Sequence, residues 1–281
     1  MLKMDEVYYT YPNGPCVLKG LSLHIPNGKK CALIGHNGCG KTTLFLHANG
    51  LLRPDSGNIY WNGEKMDYRR PTLQKWRQEV GIVFQNPEHQ LVAPLVRDEL
   101  AFGLCHLGME KREMDELMEK ALDEFGLRSW LDKPVHHLSL GQKKWLTLAA
   151  VMVMNPKLLV LDEPTAYLDR LQIDRFIEKI NDIHQAGTTV LIATHDFDFV
   201  LEWADIVFVM HDGQIVMQGA PQDVFARQHQ LQKWHLGVPL LASVWKMLFP
   251  HDTRIPRNVE EMKQWMRIDE RTSLRISEKV I

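Results

Sequence analysis

Apolar residues along this chain follow two periods, and the character of the chain changes after Gln85. Leu21-Ser22-Leu23-His24-Ile25 alternates apolar with polar, the period of a half-buried strand, and Pro26-Asn27-Gly28 is a turn. Lys30 to Ile34 predicts a short buried strand that feeds a glycine-rich stretch. Thr42 to Asn49 predicts a helix, with Gly50 as its stop. Residues 57–61 and 80–84 predict further short strands.

Beyond Gln85, Met114, Leu117, Met118, Ala121, Leu122 and Phe125 recur at helical spacing, and Gly126 closes the run. A helical insert is therefore expected over about Asn86 to Gln142. Strand patterns return at Leu158 to Leu161, Thr189 to Ala193 and Ile206 to Met210. Strands alternating with helices predict an α/β fold with a largely parallel sheet. After Gly219, Leu241, Val244, Trp245 and Leu248 form one helical stripe, and Val259, Met262, Trp265 and Met266 a second. Such stripes serve as core or as dimer contact far more often than as a cofactor box.

Composition narrows the partners. The longest strongly apolar run, Trp145 to Met154, is about half of what a bilayer-crossing helix needs, so a pore would have to come from another polypeptide. Met1 to Glu6 lacks the apolar stretch of a secretory leader. The formal net charge of −2 offers no global basic field, and no nucleic-acid partner is expected. Cys16, Cys31, Cys39 and Cys105 contain no C-x-x-C pair and read as free thiols.

Two motifs carry chemistry. Gly35-His36-Asn37-Gly38-Cys39-Gly40-Lys41-Thr42, followed by Thr43, fits the phosphate-loop pattern G-x-x-x-x-G-K-[ST]. Glycines let backbone N–H groups approach phosphate oxygens, and the following helix presents its positive end. Lys41 would reach the β- and γ-phosphates of a nucleotide, and the Thr42 hydroxyl would bind Mg²⁺. Downstream, the apolar strand Leu158 to Leu161 delivers Asp162-Glu163-Pro164 to its C-terminal edge, where α/β folds bind ligands. Strand alternation would turn Asp162 to Mg²⁺ and Glu163 to the attacking water, with Pro164 holding Glu163 extended. His136-His137 has no carboxylate or cysteine nearby and reads as a surface pair rather than a metal site.

Leu138-Ser139-Leu140-Gly141-Gln142 resembles L-S-G-G-Q, the signature of the ATP-binding-cassette (ABC) ATPases. In that family the signature closes on the γ-phosphate bound by a second subunit, which implies nucleotide contacts from Ser139, Gly141 and Gln142. Gln85 resembles the Q-loop glutamine that touches Mg²⁺ or water, Leu168-Asp169 the D-loop, and His195 the switch histidine at the γ-phosphate. Tyr11 resembles the adenine-stacking aromatic, with Tyr8 and Tyr9 as competitors. Leu140 departs from the family by replacing a glycine, and Cys39 stands inside the phosphate loop as a small filler or a redox brake.

The resemblance covers residues 2 to 225. It implies a P-loop NTPase cassette at 1–219, with a RecA-like core, an antiparallel β-subdomain and a helical subdomain at about 86–142. A short helical extension at 220–281 would contribute dimer contacts. Thr43-Leu44-Phe45-Leu46-His47, Val83 to Gln90, Ala101-Phe102-Gly103 and Pro134 to Ser139 are similar to the energy-coupling-factor importers, in their cobalt/nickel branch. The implied protein is a motor subunit, peripheral at the cytoplasmic face of the membrane, that uses ATP and Mg²⁺. Its partners would be a second copy or a paralogous ATPase, an integral-membrane coupling subunit and a substrate-binding membrane subunit. In that family the stretch after the Q-loop, Asn86 to Gln90, helps grip the coupling subunit. Nickel and vitamin import remain alternatives to cobalt. A soluble non-transport ABC ATPase, or a regulatory nucleotide-binding module, is the alternative of another class.

Overall fold

The computed structural model describes residues 1–266. Its strands are β1 (Leu2–Thr10), β2 (Cys16–Ile25), β3 (Lys30–Ile34), β4 (Ser56–Trp61), β5 (Glu64–Lys65), β6 (Val80–Val83), β7 (Leu158–Asp162), β8 (Thr189–Ala193), β9 (Ile206–His211) and β10 (Gln214–Gly219). The helices are α1 (Lys41–Ala48), α2 (Arg70–Glu79), α3 (Val96–Leu107), α4 (Lys111–Glu124), α5 (Leu140–Met152), α6 (Arg170–Gln185), α7 (Phe197–Trp203), α8 (Pro221–Ala226), α9 (Gln228–Lys233) and α10 (Leu240–Leu248). A further helical segment covers 259–266.

Two sheets form. The smaller is antiparallel, in the order β2-β1-β4-β5. The larger runs β10-β9-β3-β8-β7-β6, parallel throughout except for β10 at its edge. Each inner strand of the parallel sheet is buried on both faces, which is why it reads as an unbroken apolar run. Alternate residues then feed different cores. Ala32, Ile34, Leu159, Leu161, Val190 and Ile192 pack with residues of α5 to α8. Cys31, Leu33, Leu158, Val160, Leu191 and Ala193 pack with α1 and the antiparallel sheet. Because the strands are parallel, β3, β6, β7 and β8 all release the chain at the same edge, and the polar motifs follow those four ends.

Between β6 and β7 the chain forms α3, α4 and α5, and α5 runs from the signature back under the sheet. Gly81 lets it lie close, since a Cβ there would overlap Val151. The α4 stripe splits between the main core, which takes Leu122 and Phe125, and a satellite cluster around Leu104, Ala121 and Val153 that takes Met114 and Leu117.

After β10 the chain packs back on the parallel-sheet side through Val224, Phe225, Leu231 and Ala242. Trp245 is wholly buried, with ring centroids 4.3 Å from Phe249 and 5.5 Å from Trp265, so it serves as core within one chain. Leu240, Met247, Leu248 and Val259 face outward. The rest of the extension expected at 220–281 lies outside the described residues beyond 266. Among the described residues no helix is long and apolar enough to cross a membrane.

Candidate nucleotide site

The loop between β3 and α1 is shaped by its glycines. Gly38 and Gly40 have φ of +79° and +109°, a region that side chains resist. At Gly35 a Cβ would run into the Met210 carbonyl and lie 2.7 Å from Cys39 Sγ. Lys41, the first residue of α1, folds its ammonium back over the loop and donates to Gly35 O at 2.7 Å and His36 O at 3.2 Å. The Cys39 side chain is buried behind the loop, and burial raises its thiol pKa. That is the behaviour of a filler; a redox brake needs an accessible thiolate.

An open cleft of about 530 Å³ lies over this loop. Tyr11, Asn37, Gly38, Gly40, Lys41, Thr42, Thr43, Gln85, Asp162, Glu163 and His195 line it, together with Val17, which sequence reasoning missed. Tyr11 reaches it from the end of β1 region, and its hydroxyl lies 3.3 Å from Thr43 Oγ1. Of its competitors, Tyr9 is buried edge-on between Tyr11 and His47, with ring centroids at 5.0 and 4.6 Å. Tyr8 leans instead over Gly20.

The Thr42 hydroxyl donates to Asp162 Oδ2 at 2.6 Å, which gathers oxygen ligands at one point. Hydroxyl and carboxylate, with Gln85 lining the same cleft, supply hard oxygens of the kind that suits Mg²⁺. The residues therefore fit that ion.

Glu163 corrects two sequence expectations. Its φ is +43°, so Pro164 does not hold it extended. Nor does strand alternation separate the two carboxylates: β7 ends at Asp162, and both acids line the same cleft. A left-handed residue at the strand end, anchored by its N–H to Ala193 O at 2.9 Å, turns the Glu163 side chain instead. Its carboxyl pKa is raised, first by burial and then by the Asp162 charge, while Lys41 opposes the shift. His195 Nε2 lies 2.8 Å from Asn37 Oδ1 and 3.2 Å from Glu163 Oε1. An amide oxygen only accepts, so Nε2 carries the proton. Burial, then the positive Lys41, pull the imidazole pKa down and keep the ring neutral.

The remaining predicted residues stand elsewhere. Ser139 caps α5 in a reciprocal capping box with Gln142, and Asp169 caps α6 in the same way with Gln172. The two helix starts touch: a Cβ on Gly141 would meet Gln172 Oε1 at 2.6 Å. Ser139, Gly141, Gln142 and Asp169 thus form a second polar surface that does not line the cleft of their own chain. Leu140 projects outward there, 40% exposed.

Lys144 was missed altogether. Its side chain has no exposed surface, and burial lowers its pKa to about 8 against the pull of Asp162 and Glu163. The signal was present: Lys144, Leu148 and Val151 recur at helical spacing on the buried face of α5.

Residues 18–166 match the family described as ABC transporter. The energy-coupling factor transporter ATP-binding protein EcfA of Methanocaldococcus jannaschii is 40% identical over 252 residues, 90% of this chain and 90% of that protein. The solved structure of cbiO1 from Clostridium perfringens, described as part of the ABC transporter complex cbiONQ, superposes with a TM-score of 0.72 at 38% identity, over 89% of this chain and 95% of that one. A dimeric ATP-binding cassette in a post-hydrolysis state with ADP and Pi shares the fold, with a TM-score of 0.71 at 24% identity over 79% of this chain and 99% of that one.

Proposed function

The chain belongs to the ABC transporter family of ATP-binding, ATP-hydrolysing cassettes, and from that premise we propose that it is the motor subunit of an energy-coupling-factor importer, with cobalt ions as its cargo. The observation that carries the ATPase mechanism is the single cleft in which Lys41, Thr42, Gln85, Asp162, Glu163 and His195 converge. Lys41 and the loop amides hold the phosphates, and Tyr11 offers its ring to adenine. Thr42, Asp162 and Gln85 would hold Mg²⁺, which neutralises charge on the phosphate oxygens. The raised pKa of Glu163 suits a base that takes a proton from water, and neutral His195 donates its Nε2 proton toward the γ-phosphate.

The site is complete only when a second copy, or a paralogous ATPase, sets its Ser139–Gln142 surface and Asp169 over this cleft. Separation of the two surfaces within one chain supports that arrangement. Closure then pulls on a membrane partner. A groove of about 620 Å³ between α2, α3 and α5 suits the partner's helices, since it is lined by Phe102, His106 and Leu107 and floored by Gln90. The Gln90 amide is bonded to Phe84 N at 3.0 Å and Ile82 O at 2.8 Å, so the groove floor and the strand leading to Gln85 shift as one piece. Such a subunit is peripheral, at the cytoplasmic face, and joins a coupling subunit and a substrate-binding subunit. The metal is cargo and is held by the membrane partners. The likeness to EcfA supports the energy-coupling-factor reading, and the cobalt cargo rests on the stretches of sequence similar to the cobalt/nickel branch.

Radiolabelled Co²⁺ uptake in cells carrying the chain with its native membrane partners tests this reading. Uptake should disappear with Glu163→Gln and yield to excess Ni²⁺ if both metals are carried. The purified Glu163→Gln chain should accumulate as an ATP-bound dimer, with turnover lowered by about a hundredfold or more. An intact complex that hydrolyses ATP but takes up no Co²⁺ would move the cargo to nickel or a vitamin.

A further inference from the structure

A lysine ammonium has three donors and no acceptor. Lys144 is wholly buried and directs its donors at three backbone oxygens: Gln85 O at 2.7 Å, Phe84 O at 3.0 Å and Glu163 O at 3.4 Å. Those acceptors lie on different pieces of the site. Phe84 and Gln85 are the exit from β6, and Glu163 is the turn after β7. The lysine itself is on α5, five residues after the Ser139 cap.

This placement matters because Glu163 is held in an unfavourable backbone state. A left-handed conformation is unfavourable for a non-glycine residue and persists only where neighbours over-determine it. At Glu163 the neighbours grip both ends: its N–H donates to Ala193 O at 2.9 Å, and its carbonyl accepts from Lys144. The same ammonium holds the carbonyl of Gln85, the other side chain at the reacting end of the cleft. One cation therefore joins the helix that begins at the signature, the strand end that carries Gln85 and the turn that carries the carboxylate base.

We propose that Lys144 is a positioning residue for ATP hydrolysis: it holds the Glu163 and Gln85 backbones in register with the signature helix, so that a shift of that helix reaches the base. The proposal rests on Glu163 being the base. A lysine that only filled the core would support folding and leave turnover alone.

The full chain is purified as wild type, Lys144→Met, Lys144→Gln and Glu163→Gln. For each, kcat and KM for ATP, the affinity for a fluorescent ATP analogue and the melting temperature are measured. Methionine keeps the length and removes the donors; glutamine restores a neutral donor. In Lys144→Met, kcat should fall about tenfold or more while KM and nucleotide affinity stay within about twofold, because the phosphate loop is untouched. Lys144→Gln should recover part of the lost kcat at unchanged affinity. A kcat for Lys144→Met near wild type, whatever its melting temperature, overturns the proposal. So does a loss of affinity as large as the loss of kcat. Where Lys144→Met does not yield folded chain, Lys144→Gln decides alone: lowered kcat at unchanged affinity supports the proposal, and wild-type kcat overturns it. If Glu163→Gln keeps turning over, the base assignment fails and this proposal falls with it; if only the Lys144 variants are silent, positioning alone fails.

Discussion

His47 lies on α1 with no exposed surface, its Nδ1 2.8 Å from the Thr43 carbonyl and its ring edge-on to Tyr9. Burial pulls its pKa below the ordinary imidazole value. The unfolded chain therefore takes up the proton first as pH falls. The stability this residue contributes is fully present above about pH 6.5 and is lost as pH falls below it toward the folded pKa. His47→Phe keeps an aromatic ring against Tyr9 and removes the titration. Its melting temperature should decline less than that of wild type between pH 7.5 and 5.5, by up to about 1.4 kcal/mol per pH unit in stability. Parallel slopes would show that His47 protonates as readily folded as unfolded. His47 also touches the cleft wall at one remove: Tyr9 is wedged between His47 and Tyr11, so the tyrosine at the cleft is backed by a histidine that the sequence marked only as part of a family-like stretch.

At the scale of elements, the approach of α5 to the parallel sheet depends on Gly81. Gly81→Val would push Val151 outward and should destabilise the chain by about 1–3 kcal/mol, read as a lowered midpoint of urea unfolding with unchanged m-value. A stability equal to wild type would mean that α5 can shift without cost. Elements were legible in proportion to their burial. β3, β7, β8 and β9 are covered on both faces and announce themselves as apolar runs. β1 does not, because an irregularity at Glu6, with φ of +47°, breaks its alternation between Met4 and Val7. α2 buries only Trp76 and offers no stripe to read. In the site, the glycine spacing and the acid pair named most cleft-lining residues from one-dimensional pattern alone. The backbone of Glu163 was misread because a proline biases its predecessor, whereas the tertiary anchor at Ala193 decided it.

For the whole molecule, the cleft and the Ser139–Asp169 surface are separate faces of one chain. On the proposed reading, an isolated chain carries two half-sites. Specific ATPase activity should fall as the protein is diluted through its association range, and light scattering on the same samples should report the loss of dimer. Constant activity per chain in a sample shown to be monomeric would place the whole reaction within one copy. The same geometry gives the backbone of Glu163 an unexpected consequence. Glycine accepts the left-handed conformation freely and would keep the N–H bond to Ala193. Glu163→Gly would thus relax strain and remove a buried carboxylate, giving a sturdier chain that still binds ATP and still pairs. Glutamate and glycine codons differ by a single base. A screen for thermal robustness would enrich that exchange, and one such copy in a dimer would arrest the partnership rather than drop out of it. With Glu163 as the proposed base, this position sets folding against turnover: the glutamate serves the reaction against the preference of its own backbone.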